Sequence, residues 1–350
     1  MSGAIGANAG YATLASLIGD SNTLSGRLAL LQQQSATGHI ADTLGGLGSA
    51  GARQVLDLTP AIAHAAQYQA NIDAVQGQLG TTQIALKGIS DVASAFYAQL
   101  PNLNGLNAIN VDAIASNAKQ ALAQVANLID TKSGDTYVFA GQTPGTAPIP
   151  NPDAIAGSSF ATAIATAVAG LGGSGAAATA AATLAAASGA SPFDPALSAK
   201  PPTVQVADGH FVQAGLLANA NTLAVSTGPS TTGSYMRDVL RSLATLASLS
   251  SSQISAPGFA AFVEDTRQSL NGAIGAMGTE AGALGDLQTG LQTARTELGN
   301  TAEALKSQLS SATDVDMAAT LSKLTQTQTQ LQASYQVIAA AKGLSLANYL

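Results

Sequence analysis

Residues 317–338 read MAATLSKLTQTQTQLQASYQVI, and alternating steps of four and three through them pick out Met317, Leu321, Leu324, Gln328, Leu331, Tyr335 and Ile338. That spacing returns each slot to one helix face and is the pattern of a coiled-coil seam. The other end of the chain repeats it. In LASLIGDSNTLSGRLALLQQQS, residues 14–35, the slots are Leu14, Leu17, Ser21, Leu24, Leu28, Leu31 and Ser35. Chain termini are where order is usually lost, so two adhesive helices placed there call for a partner, either each other or a neighbouring copy. Gln328 is the polar member of its row, the kind of position at which a buried amide sets register in coiled coils.

Moving inward, a Gly-rich irregular stretch is expected over 36–51, followed by a long helical tract from about Arg53 to Tyr97. Val55, Ile62, Ile72, Val75, Leu79, Leu86, Ile89 and Val92 are its candidate core residues, and Pro101-Asn102 stops it. A third helix spans Val111 to Asp130 with Ile114, Leu122, Val125 and Ile129 at helical spacing and Asn110 or Asp112 as N-cap. The period then changes from helical to alternating. Residues 136–139, 203–206, 211–212 and 222–225 read as short strands, with Asp208-Gly209 and Asn219-Ala220-Asn221 as turns. Tyr137 and Phe139 are expected on one face of the first strand, against core helices. Helix resumes over 234–249 and 259–312, where Leu284, Leu287, Leu291, Ala294, Leu298 and Leu305 extend an apolar stripe. Asp314-Val315-Asp316 interrupts it before the last helix and suits an N-cap and first turn.

The expected architecture is mainly α with a β-containing inserted domain, its long antiparallel helices pairing the two ends of the chain. Residues 1–40 and 314–350 would form a terminal coiled-coil domain, 41–135 and 234–313 a helical core domain, and 136–233 an outer domain with an Ala/Gly-rich insertion.

Composition narrows the class. The chain has 350 residues, of which only 9% are charged, with no Trp and 36 Gly. A soluble domain typically carries about a quarter charged residues, so this surface suits a protein covered by copies of itself. A net charge of −7 and thirteen scattered Lys and Arg argue against nucleic-acid binding. Absence of Cys excludes disulfides and thiolate chemistry. The first basic residue is Arg27, which does not fit a secretory signal peptide, so an exported chain would take another route. The uncharged run 154–192 is long enough to cross a membrane, but it is built of Ala, Gly, Ser and Thr with a Gly172-Gly173-Ser174-Gly175 break; membrane insertion is not expected.

Catalytic readings find little support. The two G-x-G-x-x-G strings, Gly46 to Gly51 and Gly170 to Gly175, do not follow a strand in a βαβ unit, so no cofactor is expected. His39, His64 and His210 lie far apart without neighbouring ligands and read as isolated surface residues, and Asp314 and Asp316 lack a third carboxylate for a metal. The expectation is a protein that is not an enzyme, with no catalytic, cofactor or metal residues.

Three segments carry a resemblance. Leu331-Gln332-Ala333-Ser334-Tyr335-Gln336 followed by Gly343-Leu344-Ser345-Leu346-Ala347-Asn348-Tyr349-Leu350 resembles the end of the flagellar hook-associated protein 3 family. The run Gly134-Asp135-Thr136-Tyr137-Val138-Phe139-Ala140-Gly141-Gln142-Thr143 is similar to that family's passage from core to outer domain. Asp314-Val315-Asp316-Met317-Ala318 looks like the D-x-D-x-A junction that the family shares with flagellins. The resemblance implies a flagellar structural subunit at the hook–filament junction, exported to the cell exterior without a cleaved signal. It implies assembly into a ring with itself, contacts with a hook-associated protein on one side and flagellin on the other, and an export chaperone. The assembly surface would be Leu14, Leu17, Leu24, Leu28, Leu31, Leu321, Leu324, Gln328, Leu331, Tyr335 and Ile338. Flagellin itself is the nearest alternative, and a secreted coiled-coil adhesin or effector a more distant one.

Overall fold

The computed structural model describes residues 3–103, 108–228 and 230–347. Met1, Ser2 and the last three residues of the tail motif, Asn348 to Leu350, lie outside them. The described elements run α1 (Gly3–Thr37), α2 (Gly48–Gln99), α3 (Ala108–Ile129), β1 (Lys132–Ser133), β2 (Thr136–Tyr137), α4 (Ser159–Ala169), α5 (Leu171–Gly189), β3 (Thr203–Ala207), β4 (His210–Gln213), α6 (Tyr235–Ala247), α7 (Phe259–Thr313) and α8 (Met317–Ala347). The chain divides into two compact units. One comprises Met1–Ala66 with Gly299–Leu350, the other Gln67–Leu298. This division falls inside α2 and α7.

Within Gln67–Leu298, α2 and α7 run antiparallel, a direction fixed by three side-chain pairs: Asp73 with Arg295 at 2.5 Å, Gln76 with Gln292 at 3.3 Å, and Tyr97 with Arg267 at 2.7 Å. Leu128 of α3 rests over Gly88 of α2, where a Cβ would come within 3.2 Å of it. The expected core residues Ile72, Val75, Leu79, Leu86 and Ile89 of α2, and Ile114, Leu122, Val125 and Ile129 of α3, are buried; Val92 is half-buried. Around them α3, α4 and α5 pack on α6, and Phe139, Phe160, Phe262 and Tyr235 are fully buried.

The alanine-rich middle is ordered helix. Ser158 caps α4 by accepting the Ala161 N–H at 3.2 Å, and the break between α4 and the body of α5 falls at Gly175, whose φ of 76° is the left-handed conformation that glycine adopts without cost. Thr179 and Thr183 face inward from α5. Here a buried polar network replaces apolar packing: Asp238 accepts from Ser226 Oγ at 2.5 Å and Thr232 N at 2.7 Å, while Arg241 donates to Thr183 Oγ1 at 3.1 Å, Ser269 Oγ at 2.7 Å and the Ser230 carbonyl. Buried polar groups need such partners, and these tie α5, α6, α7 and the 226–232 loop together.

Among the described residues the strands form two small hairpins, β1 with β2 and β3 with β4, both antiparallel. The second carries the Asp208-Gly209 turn, with Gly209 at φ 69°. Several sequence expectations need correction. Residues 222–225 do not pair as a strand; the N–H groups of Leu223 and Ala224 go instead to the Glu280 carboxylate of α7. The chain turns at Val138-Phe139 directly after β2, so Tyr137 and Phe139 do not share a strand face. Phe139 is buried, whereas Tyr137 is half-exposed beneath Lys132, whose Nζ lies 4.5 Å from its ring centre. Helix α3 starts ahead of both expected caps, and Asp112 accepts the Ser251 N–H at 2.8 Å. The irregular stretch is shorter than expected, since α1 runs to Thr37 and α2 begins at Gly48. Helix α3 takes in Asn110, and helix α2 takes in Gly48 and Gly51.

Candidate assembly site

The terminal unit, Met1–Ala66 with Gly299–Leu350, is built on the pairing of α1 with α8. Their direction is set where they meet their linkers. Helix α1 closes with Gly38 at φ 76°, its N–H bonded to the Gln34 carbonyl at 2.9 Å in a left-handed C-cap. The chain then makes an antiparallel bridge, His39 opposite Asp314. The Ile40 N–H reaches the Thr313 carbonyl at 2.7 Å and the Val315 N–H reaches the Gly38 carbonyl at 2.9 Å. The end of α1 is therefore beside the start of α8, and the two helices run antiparallel.

Side chains close the same bridge. His39 Nδ1 lies 2.8 Å from Asp314 Oδ1, so His39 is not the isolated histidine that its sequence neighbours suggest; its partner is 275 positions away. Asp314 also accepts from Ser310 Oγ at 2.6 Å and Thr313 Oγ1 at 2.8 Å. These hydroxyls, with His39 behind them, hold its carboxyl below the usual carboxylate range. Asp316 caps α8, accepting the Ala319 N–H at 3.0 Å. Each Asp of the D-x-D junction thus has a task in backbone geometry. Among the described residues no group of three His, Asp or Glu could hold a metal, and none of the described helices is long and apolar enough to cross a membrane.

On α1 all seven slots face α8: Ser21 and Leu31 are buried, and Leu14, Leu17, Leu24, Leu28 and Ser35 are half-buried. On α8 the covered positions are Thr320, Leu324, Thr327, Leu331, Ser334, Ile338 and Ala341, which again step by four and three; Gln328 is half-buried at the margin. Leu324, Leu331 and Ile338 are common to this row and to the sequence reading. Leu321 and Tyr335 are not, being 48% and 54% exposed, and Met317 is 40% exposed. At about 100° per residue, Met317, Leu321, Gln328 and Tyr335 form a second stripe roughly 90° round the helix from the covered one.

The missed seam residues share one property: each is small. Thr327 buries its methyl while its hydroxyl turns back to the Lys323 carbonyl at 2.7 Å, so a residue counted as polar presents an apolar surface to the seam. The signal was available in the seven-residue recurrence Thr320, Thr327, Ser334 and Ala341. Met317, Leu321 and Tyr335 leave exposed apolar side chains along this stripe, and exposed apolar surface of this kind marks an interaction site.

With this geometry in place, comparison with known proteins gives the class first. The fold is similar to that of a structure described as a flagellar hook-associated protein from Vibrio parahaemolyticus, which superposes with a TM-score of 0.54 at 12% identity, covering 78% of this chain and 99% of that one. The Bacillus cereus FlgL structure is less similar, with a TM-score of 0.48 at 16% identity, covering 73% of this chain and 99% of that one. Residues 268–350 match the family described as the bacterial flagellin C-terminal helical region. That match covers α7 from residue 268 onward and all the described part of α8. A search of curated proteins finds no match.

Proposed function

We propose that this chain is a structural subunit of the bacterial flagellum, acting at the hook–filament junction rather than as an enzyme. The observation that carries the reading is the flagellin C-terminal region folded back onto α1 with an apolar stripe, Met317, Leu321 and Tyr335, left uncovered beside the seam. Leu14, Leu17, Leu24, Leu28, Leu31, Leu324, Leu331 and Ile338 hold the pair together. Leu321 and Tyr335, with Gln328 at the margin, meet neighbouring copies, which close into a ring. The ring joins a hook-associated protein on one side to flagellin on the other, and the subunit reaches the cell exterior by an export route using a chaperone and no cleaved signal. Residues 136–233 form an outer domain on a helical core of 41–135 and 234–313. The likeness to hook-associated structures favours the junction. The family match at residues 268–350 supports flagellin, the filament subunit, as the second reading.

The test is complementation of a strain lacking this chain with the Leu321→Asp, Tyr335→Asp double variant. Two carboxylates in a surface that becomes dry on assembly are strongly unfavourable, whereas both positions are open to water in the subunit. The expected result is an exported subunit with unchanged melting, normal hooks, and flagellin shed into the medium. Motile cells with attached filaments would overturn the reading. Loss of the subunit's own filaments, with the junction intact, would support flagellin instead.

A further inference from the structure

Between the last turns of α1 and the segment that follows it lies an open cavity of about 300 Å³. Leu30, Gln33 and Gln34 of α1 form one wall and residues 39–43 the other. That second wall is braced. Gln34 Nε2 donates to the Ile40 carbonyl at 2.9 Å, the Gln33 amide donates to the Asp42 carboxylate, and the Ile40 N–H is held by the Thr313 carbonyl. His39 is fixed from the far side by Asp314. The cavity is therefore shaped within the single subunit.

Its lining has two characters. Leu30, 49% exposed, and the half-buried Ile40 supply apolar surface. Asp42 supplies an acceptor, because Oδ2 takes the Gln33 amide and Oδ1 meets no donor among the described residues. A volume at the lower end of the roughly 300–1,000 Å³ of small-ligand sites admits one large side chain and excludes a helix. The side chain that matches such walls is a ring with a hydroxyl at its tip.

Tyr335 has that chemistry. It is the sole aromatic among the described side chains of the terminal unit, and it stands 54% exposed on the uncovered stripe of α8. It does not reach its own cavity. The Val315 N–H bonds to the Gly38 carbonyl, so the cavity sits beside the start of α8, whereas Tyr335 lies roughly 27 Å of helix beyond Met317. A ring that fills the cavity comes from another copy.

We propose that Tyr335 of one subunit inserts into this cavity of its neighbour, with its ring against Leu30 and Ile40 and its hydroxyl donating to Asp42. This contact rests on the junction role proposed above, for which it names the surface that Tyr335 meets. A ring with a hook-associated protein on one side and flagellin on the other has all its copies pointing the same way. The inserting and receiving surfaces then differ, and the contact is heterologous, the type that closes into rings or continues as a helix.

Because the chain has no cysteine, engineered thiols report this contact alone. Thr43 is exposed at the cavity. Flagella from cells complemented with the full-length Thr43→Cys, Tyr335→Cys variant are treated with a short bismaleimide and run on a denaturing gel. The expected result is a ladder of trimers and larger multiples, absent from either single variant. Dimers alone would show a mutual two-fold contact, and monomers alone from motile cells would show that Tyr335 docks elsewhere; either overturns the proposal. Leu30→Glu decides the matter where the paired cysteines abolish motility. It charges the apolar wall and leaves Tyr335 in place, so the subunit should melt as the parent does while flagellin is shed into the medium. Motile cells with attached filaments, or a lowered melting temperature that makes Leu30 part of the subunit's own core, would overturn the proposal. Failure here together with shedding by the Leu321→Asp, Tyr335→Asp variant leaves the junction reading intact, whereas motility of that variant removes both.

Discussion

The two units of this molecule have unequal interiors. Gln67–Leu298 buries Phe139, Phe160, Phe262, Tyr235 and a row of Leu and Ile at or near zero exposure, whereas the seam of the terminal unit fully covers Leu31, Leu331 and a few Ser and Thr, and leaves Leu14, Leu17, Leu24 and Leu28 half-open. Burial of a large aliphatic or aromatic side chain contributes about 1.5–3 kcal/mol, so the first unit closes its own core. The second leaves its own seam half-open, a surface that neighbouring copies would cover in the proposed assembly. The difference separates a part that closes its own core from a part whose seam is left for the proposed assembly to complete.

The sharpest way to break that contrast is inside the self-sufficient core. Phe139→Ala should cost about 3–5 kcal/mol, read as a lowered thermal transition of the isolated subunit, with the α1 and α8 seam chemistry unchanged. A variant that altered assembly at constant melting temperature would show Phe139 to be something other than core packing. A gentler test is hydrogen exchange in dilute monomer, where amides of Leu24 to Leu31 and Leu324 to Leu331 should exchange far faster than those of Leu79 to Ile89. Equal protection in both sets would show that the helix pair needs no neighbour.

The smallest effect is a matter of pH. Burial pushes the Asp130 carboxyl from its ordinary value of 3.8 to about 6, against the Ile149 N–H that it accepts at 2.8 Å. A folded pKa above the unfolded one means that the fold keeps a proton which the unfolded chain gives up. The stabilisation is therefore full below 3.8, declines as pH rises to about 6, and is gone above that. Asp130→Asn retains an acceptor for Ile149 and removes this slope. It should match the parent in melting temperature near pH 4 and exceed it by roughly a degree or two near pH 7.5. Parallel curves for the two proteins would contradict the assignment.

Much of the helical frame was legible because periodicity is a property of one segment at a time. The slots of α1, the start of α8 at Met317 and the core positions of α2 and α3 follow from spacing alone. The candidate site was only partly legible. Counting large apolar residues put Leu321 and Tyr335 in the row, whereas the helix turns its small residues inward and leaves those two outside. Long-range pairings left no local trace: nothing near His39 points to Asp314, and nothing in residues 222–225 announces that their N–H groups are taken by Glu280 before a second strand can pair with them. The alanine-rich 159–189 stretch carries no period of its own to read, and its helices show only where α6 buries their Thr and Ala face.

The bridge between residues 38–40 and 313–315 has a mechanical consequence. It fastens the two places where the chain enters and leaves the α1–α8 pair, through main-chain bonds from Ile40 to Thr313 and from Val315 to Gly38. A pull applied to either terminal helix is therefore divided between two covalent strands before it reaches α2 or α7. Neither linker can stretch without first stripping hydrogen bonds from the other. Without it, a load on α8 would fall on the three residues Asp314, Val315 and Asp316 alone, and this cross-tie spreads that load over both crossings.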